Sequence, residues 1–134
     1  MKRADVDKFE KIAGQLLSIY EEISLLSKKN PHDALNKFKL KFINMHITAA
    51  NEFLAEKYKP LEGFVRFEED DMPQNSDVVF VVSQYLQALE KLRADNVSLR
   101  DGAWHWRIEP EPDEETPKGG YFYIRTTKPR NLKD

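Results

Sequence analysis

Between Ser76 and Asn96 the apolar residues Val78, Val82, Tyr85, Leu89 and Leu92 recur at alternating steps of four and three. At about 100° per residue these positions fall on one stripe of an α-helix. Val79 and Leu86 widen the stripe on one side, Val81 and Ala88 on the other. The opening run VVFVV (78–82) is β-branched and apolar all round, so a buried strand is the rival reading. The unbroken helical period after it favours a helix over about 76–96 whose first turns are covered on every side. Leu61, Phe64, Val65 and Phe67 are the expected cover, folding back near Phe80.

Two more helical patterns precede it. Over residues 5–29, Phe9, Ile12, Leu16, Ile19, Ile23 and Leu26 step by three and four, with acids in the first turns and Lys28 and Lys29 in the last. Gly14 is a weak point of about 1 kcal/mol relative to alanine unless a neighbour packs close there. Asn30-Pro31 reads as a cap followed by proline at the first helical position, so the second helix is expected over about 32–58. It carries two apolar seams: Leu35, Phe38, Phe42, Met45, Ala49 and Phe53, and Leu40, Ile43, Ile47, Ala50 and Leu54. Two seams imply two neighbours, with Lys37, Lys41, Asn44, Thr48 and Asn51 left in water.

After Asn96 the period changes from 3.6 to 2. Asp101-Gly102 is a turn, residues 103–109 and 120–127 are strands, and the acidic, proline-rich Pro110–Gly119 is an exposed loop between them. The tail 128–134 is expected to fray. The fold class that follows is α+β, a three-helix antiparallel bundle with a C-terminal two-stranded β-hairpin, in one domain spanning 1–134. An all-α bundle with an extended tail is the alternative.

Composition narrows the chemistry. With 134 residues, 33% charged and 40% hydrophobic, the chain suits a well-solvated globular domain. A net charge of −2 argues against nucleic-acid binding through bulk charge. The absence of cysteine removes disulfides, thiolate nucleophiles and thiolate metal sites. The N-terminal MKRADVDKFEK has no apolar run that would make it a secretory signal, and no stretch approaches a membrane span. A cytoplasmic setting without membrane association is therefore expected.

Catalytic motifs are missing. The serines stand in no GxSxG elbow and the five glycines make no phosphate loop. His32, His46 and His105 fall in no metal-binding spacing, so no metal and no cofactor are expected. The run Glu68–Asp71 lacks the ligand alternation and turn glycine of a calcium loop and reads as a solvated run before a helix. The sharpest anomaly is Lys39 and His46, polar residues at the angle between the two seams, roughly 10.5 Å apart along the axis. The functional reading is a histidine tuned for proton transfer; the structural one is a satisfied histidine and a snorkelling lysine.

One face of the hairpin must pack on the helices, since a lone hairpin is not stable. Trp104, Trp106, Ile108, Phe122 and Ile124 form the natural inner set, leaving His105, Arg107, Tyr121, Tyr123 and Arg125 outside. Flat aromatics beside guanidinium groups suit a protein partner or stacked bases, although the acidic loop opposes a polyanion. They also suit a plain solvated sheet face. The favoured expectation is a small non-enzymatic interaction or regulatory module, bacterial or mobile-element in style, docking a protein partner or a second copy through a helix face and the outer hairpin face. The alternatives are a nucleic-acid-binding accessory protein using the Arg/Tyr face and basic tail, and a small enzyme centred on His46.

Overall fold

A computed structural model describes residues 1–130. Three helices, α1 (Arg3–Lys29), α2 (Lys37–Tyr58) and α3 (Asn75–Asp95), precede an antiparallel sheet of β1 (Val97–Arg100), β2 (Ala103–Ile108) and β3 (Phe122–Arg125), in the order β1-β2-β3. The valine-rich segment is helical. Val78, Val82, Tyr85 and Leu89 on α3 are fully buried with Phe9 and Leu16 of α1 and Leu40, Ile43, Ile47 and Leu54 of α2. Each such side chain contributes roughly 1.5–3 kcal/mol by leaving water. Among the described residues, no helix is long and apolar enough to cross a membrane.

Helix directions follow from the cross-contacts. Phe9 meets Phe53 and Glu22 meets Lys39, so α1 and α2 are antiparallel. Glu10 meets Arg93, whereas Leu17 lies beside Leu86, so α1 and α3 are antiparallel too. Tyr85 donates to Asn51 and Tyr58 to Asp95, which sets α2 and α3 parallel. The reason is the connector 59–74, which returns the chain along α2 before α3 begins.

That connector does not cover Phe80, which is 59% exposed. It lies instead on the α2 face expected to stay wet. Asn44 binds the Phe67 backbone at both N and O, and the Asn51 amide reaches the Phe64 and Val65 carbonyls. Phe64 packs edge-on to Phe67, 5.2 Å between centroids, and sits 6.4 Å from Tyr85. Apolar count in the segment gave the tendency to pack, and the asparagine amides decide where.

Helix α2 starts at Lys37 rather than His32. Asn30 closes α1, and residues 31–36 form a turn and an isolated bridge between Ala34 and Gln74. In this segment the Pro31 and Asp33 carbonyls accept from Ser76 and Asn75, satisfying backbone donors at the start of α3. Asn36 is the true cap of α2, its side chain accepting from the Lys39 amide at 2.8 Å. Helix α3 correspondingly begins at Asn75, with Asp77 accepting from the Gln74 amide.

The sheet has three strands where two were expected. Residues 97–100 pair antiparallel with 103–106 across Asp101-Gly102, both at positive φ (53° and 78°), as a tight hairpin turn requires. Strand β3 covers Phe122–Arg125, shorter than 120–127. Its register sets Trp106 opposite Ile124 and Ile108 opposite Phe122 on the inner face, and Trp106 and Ile108 are fully buried. The 110–119 loop is not wholly loose: Arg3 of α1 holds Glu114 at 2.7 Å. The fraying expected of 128–134 does not extend to Arg130, whose backbone amide donates to Glu90; residues 131–134 lie outside the described residues.

Candidate functional site

The two seams of α2 have different fates. Leu40, Ile43, Ile47, Ala50 and Leu54 are buried, whereas in the other seam Phe38 is 82%, Phe42 47% and Met45 62% exposed. The expectation that both seams meet a helix holds at Phe53 of the outer seam, which packs on Phe9, and is corrected for Phe38, Phe42 and Met45. Helices α1 and α3 pack most closely on each other; α1 meets the outer seam of α2 at Phe53 but leaves Phe38, Phe42 and Met45 exposed. A cleft results. Near its middle it has a volume of about 500 Å³, lined by Lys8, Lys11, Ile12, Gln15, Phe42, Met45, His46 and Ala49.

Phe42 links this space to a more apolar hollow of about 260 Å³ between Ile19, Ile23 and Phe38. Ile12 and Ala49 link it to a third, of about 500 Å³, reaching Phe53 and Met1. The whole groove follows α2 from Phe38 to Phe53, which at helical rise is roughly 22 Å.

Lys39 and His46 both border this groove. Lys39 bridges it at one end through a 3.0 Å ion pair to Glu22 of α1. His46 lies in the floor, edge-on to Phe42 with centroids 4.5 Å apart. Its Nε2 is buried and has no hydrogen-bond partner among the described residues. Burial, with the Lys11 ammonium nearby, holds its imidazole pKa below the ordinary histidine value, so the ring is neutral at pH 7. Among the described residues no carboxylate pairs with it, and no group of three His, Asp or Glu side chains is placed to hold a metal.

The outer sheet face brings four of its five expected residues together. His105 pairs with Arg125 and Arg107 with Tyr123 across β2 and β3, while Tyr121 lies just before β3. Arg107 is not open to a ligand: its guanidinium donates to the Asp95 and Val97 carbonyls and to Ser98 Oγ. It closes the end of α3, where carbonyls lack partners. His105 stands edge-on to Tyr123 with centroids 6.5 Å apart, and its Nδ1 lies 3.0 Å from the Ala103 carbonyl. Arg100 of the unforeseen strand β1 covers the Tyr123 ring at 4.0 Å. Arg125 and Tyr121 remain exposed. A base stacking on Tyr123 would have to displace Arg100, which weakens the nucleic-acid reading.

A buried polar cluster escaped the sequence reading. Arg93, 4% exposed, lies with its guanidinium carbon 4.9 Å from the Phe9 centroid and 5.6 Å from that of Trp106. It bonds Thr126 at 2.6 Å and Thr127 at 2.9 Å, and pairs with Glu10 and Glu90. Glu10 also accepts from Trp106 Nε1 and Thr126 Oγ1. Arginine in the last turn of a helix is ordinary, so its spacing gave no signal. The cluster joins α1, α3, β2 and the segment after β3, and its two carboxylates outnumber the one cation. That arrangement is structural cross-linking rather than a site for an anion.

Comparison with protein-family models, with curated proteins and with solved structures finds no match for this chain.

Proposed function

We propose that the protein is a small non-enzymatic interaction module that docks a protein partner through the groove between α1 and α2. One observation carries this reading: the row Phe38, Phe42 and Met45 on a well-formed helix, exposed to water along the lip of a cleft. Scattered apolar residues on a surface are ordinary, but a contiguous row beside a concavity marks a binding surface. Spacing of four and three matches the way a helix presents anchors to a partner. The outer sheet face, with Arg125, Tyr121 and the Arg100–Tyr123 stack, supplies a second, more polar surface of the same kind.

Site-specific photo-crosslinking tests the reading. A benzophenone amino acid at position 38 is expected to cross-link one discrete protein in cells, whereas the same probe at position 80 does not. Phe80 is also an exposed aromatic on a helix but lines none of the three hollows of the groove. Equal labelling from both positions, or none from position 38, removes the groove from this role.

A further inference from the structure

We infer that the occupant of the groove is an amphipathic helix of another protein with acidic residues flanking its apolar anchors. The inference deepens the docking reading above and rests on it.

Shape comes first. The groove is lined by side chains of two helices over roughly 22 Å, which accommodates about four turns of a third helix. Its floor is Ile12, His46 and Ala49, with Phe42 on the lip. An occupant with apolar residues three and four apart would continue the packing that α1 and α2 do not supply to each other.

Charge then selects the kind of helix. The central reach of the groove is edged by Lys8 and Lys11, one turn apart on α1, and no carboxylate lines it. Among the described residues neither lysine forms an ion pair. Both are exposed, so acids on one flank of the occupant can reach them without burial of either charge.

The same features disfavour two other occupants. A second copy docked groove to groove would carry its own Lys8 and Lys11 into an equally basic centre, with like charges facing across a two-fold axis. An anionic bilayer prefers a convex apolar face with a basic rim. Here Ile12, Ala49 and His46 are recessed, and the acids Asp5, Glu22 and Glu52 line the two ends.

The test uses the full chain and a displayed library of helices of about 18 residues. Library members carry leucine at every third or fourth position and either Glu or Lys at each flanking position. Selection on the wild-type protein is expected to enrich glutamate on one flank, with binding weakened roughly tenfold by Lys8→Glu with Lys11→Glu. The doubly reversed protein should select lysine instead, and Met45→Glu should select nothing. All three positions are exposed, and circular dichroism checks that each variant keeps its helices. Helices selected equally with basic flanks, yet lost on Met45→Glu, would overturn the acidic occupant while leaving the docking face intact. No enrichment at all overturns the inference, and if position 38 also cross-links nothing, the docking reading falls with it. Flotation with phosphatidylserine vesicles that Met45→Glu abolishes would assign the groove to a bilayer. A dimer in sedimentation that the same variant dissociates would assign it to a second copy. Either result overturns the inference.

Discussion

Asn44 binds Phe67 as a strand binds its neighbour, donating from Nδ2 to the carbonyl and accepting at Oδ1 from the amide, both at 2.9 Å. One side chain on a helix therefore holds an otherwise irregular connector by both polar groups of a single residue. Asn44→Ala is expected to cost about 2 kcal/mol, the sum of two ordinary hydrogen bonds. Asn44→Asp should cost nearly as much, because it loses the donor and sets a carboxylate against a carbonyl. Urea unfolding measures the loss, and faster hydrogen exchange at the Phe67 amide locates it.

Arg93 lies in an aromatic setting with two carboxylates, so its removal leaves the largely buried Glu90 carboxylate without its cation. Arg93→Ala is expected to destabilise by about 3 kcal/mol, as for a broken buried ion pair. Thr126→Val, which deletes one hydroxyl of the same cluster, should cost about 1 kcal/mol. Both variants should also change the tryptophan emission spectrum, since Trp106 donates to Glu10.

Arg107 and Arg125 sit on the same sheet face and should behave oppositely. Arg107→Ala removes the donors to Asp95, Val97 and Ser98 and is expected to cost about 2 kcal/mol. Arg125→Ala should change stability by less than about 0.5 kcal/mol. Thermal unfolding of the pair separates the structural arginine from the available one.

Acid should act on His46 through its neighbours, Lys8 and Lys11 across the groove and Phe42, Met45 and Ala49 on its own helix. Burial first, then Lys11, lowers its folded-state pKa below the ordinary 6.5. The unfolded chain therefore takes up the proton more readily as pH falls. This histidine's contribution to stability is complete above pH 6.5 and is lost as pH drops through its lowered folded-state value. His46→Gln should flatten that part of the stability profile, measured by urea midpoints between pH 7.5 and 5. An unchanged slope would show that another group is responsible.

Gly14 faces open space: beyond its chain neighbours and the backbone of its own helix, no atom lies within 4 Å of where a Cβ would stand. It lies in the middle of α1 beside a cavity of about 180 Å³. Gly14→Ala is expected to stabilise by about 1 kcal/mol through helix propensity alone, seen as a higher melting temperature.

Periodicity revealed the three helices and the inner face of the hairpin, because Trp106, Ile108 and the α3 stripe are buried by the rule that spaced them. It failed where a backbone or a single amide decides. The Pro31 signal marked a restart, but the backbone of 31–34 docks against the start of α3 and delays α2 to Lys37. Strand β1 was invisible because only Val97 of its four side chains is buried. The groove was half legible: both seams of α2 are in the sequence, but that Phe38, Phe42 and Met45 stay uncovered while Phe53 meets Phe9 depends on how α1 crosses α2. Arg107 and Arg93 show the same limit. A guanidinium reads alike whether it caps a helix, fills a core or awaits a ligand, and only its neighbours decide.

The Arg93 cluster also bears on how the chain is made. Its bond between Glu10 and Thr126 closes a span of 116 positions, and the one between Trp106 and Glu10 a span of 96. During synthesis α1 emerges first yet must wait for α3 and the sheet before Phe9 and Leu16 find cover. Helices α1 and α2 alone therefore leave Phe9 and Leu16 without the cover that α3 and Trp106 of β2 supply. The contacts that close this core are non-local, the kind that form slowly because a long loop must be closed first.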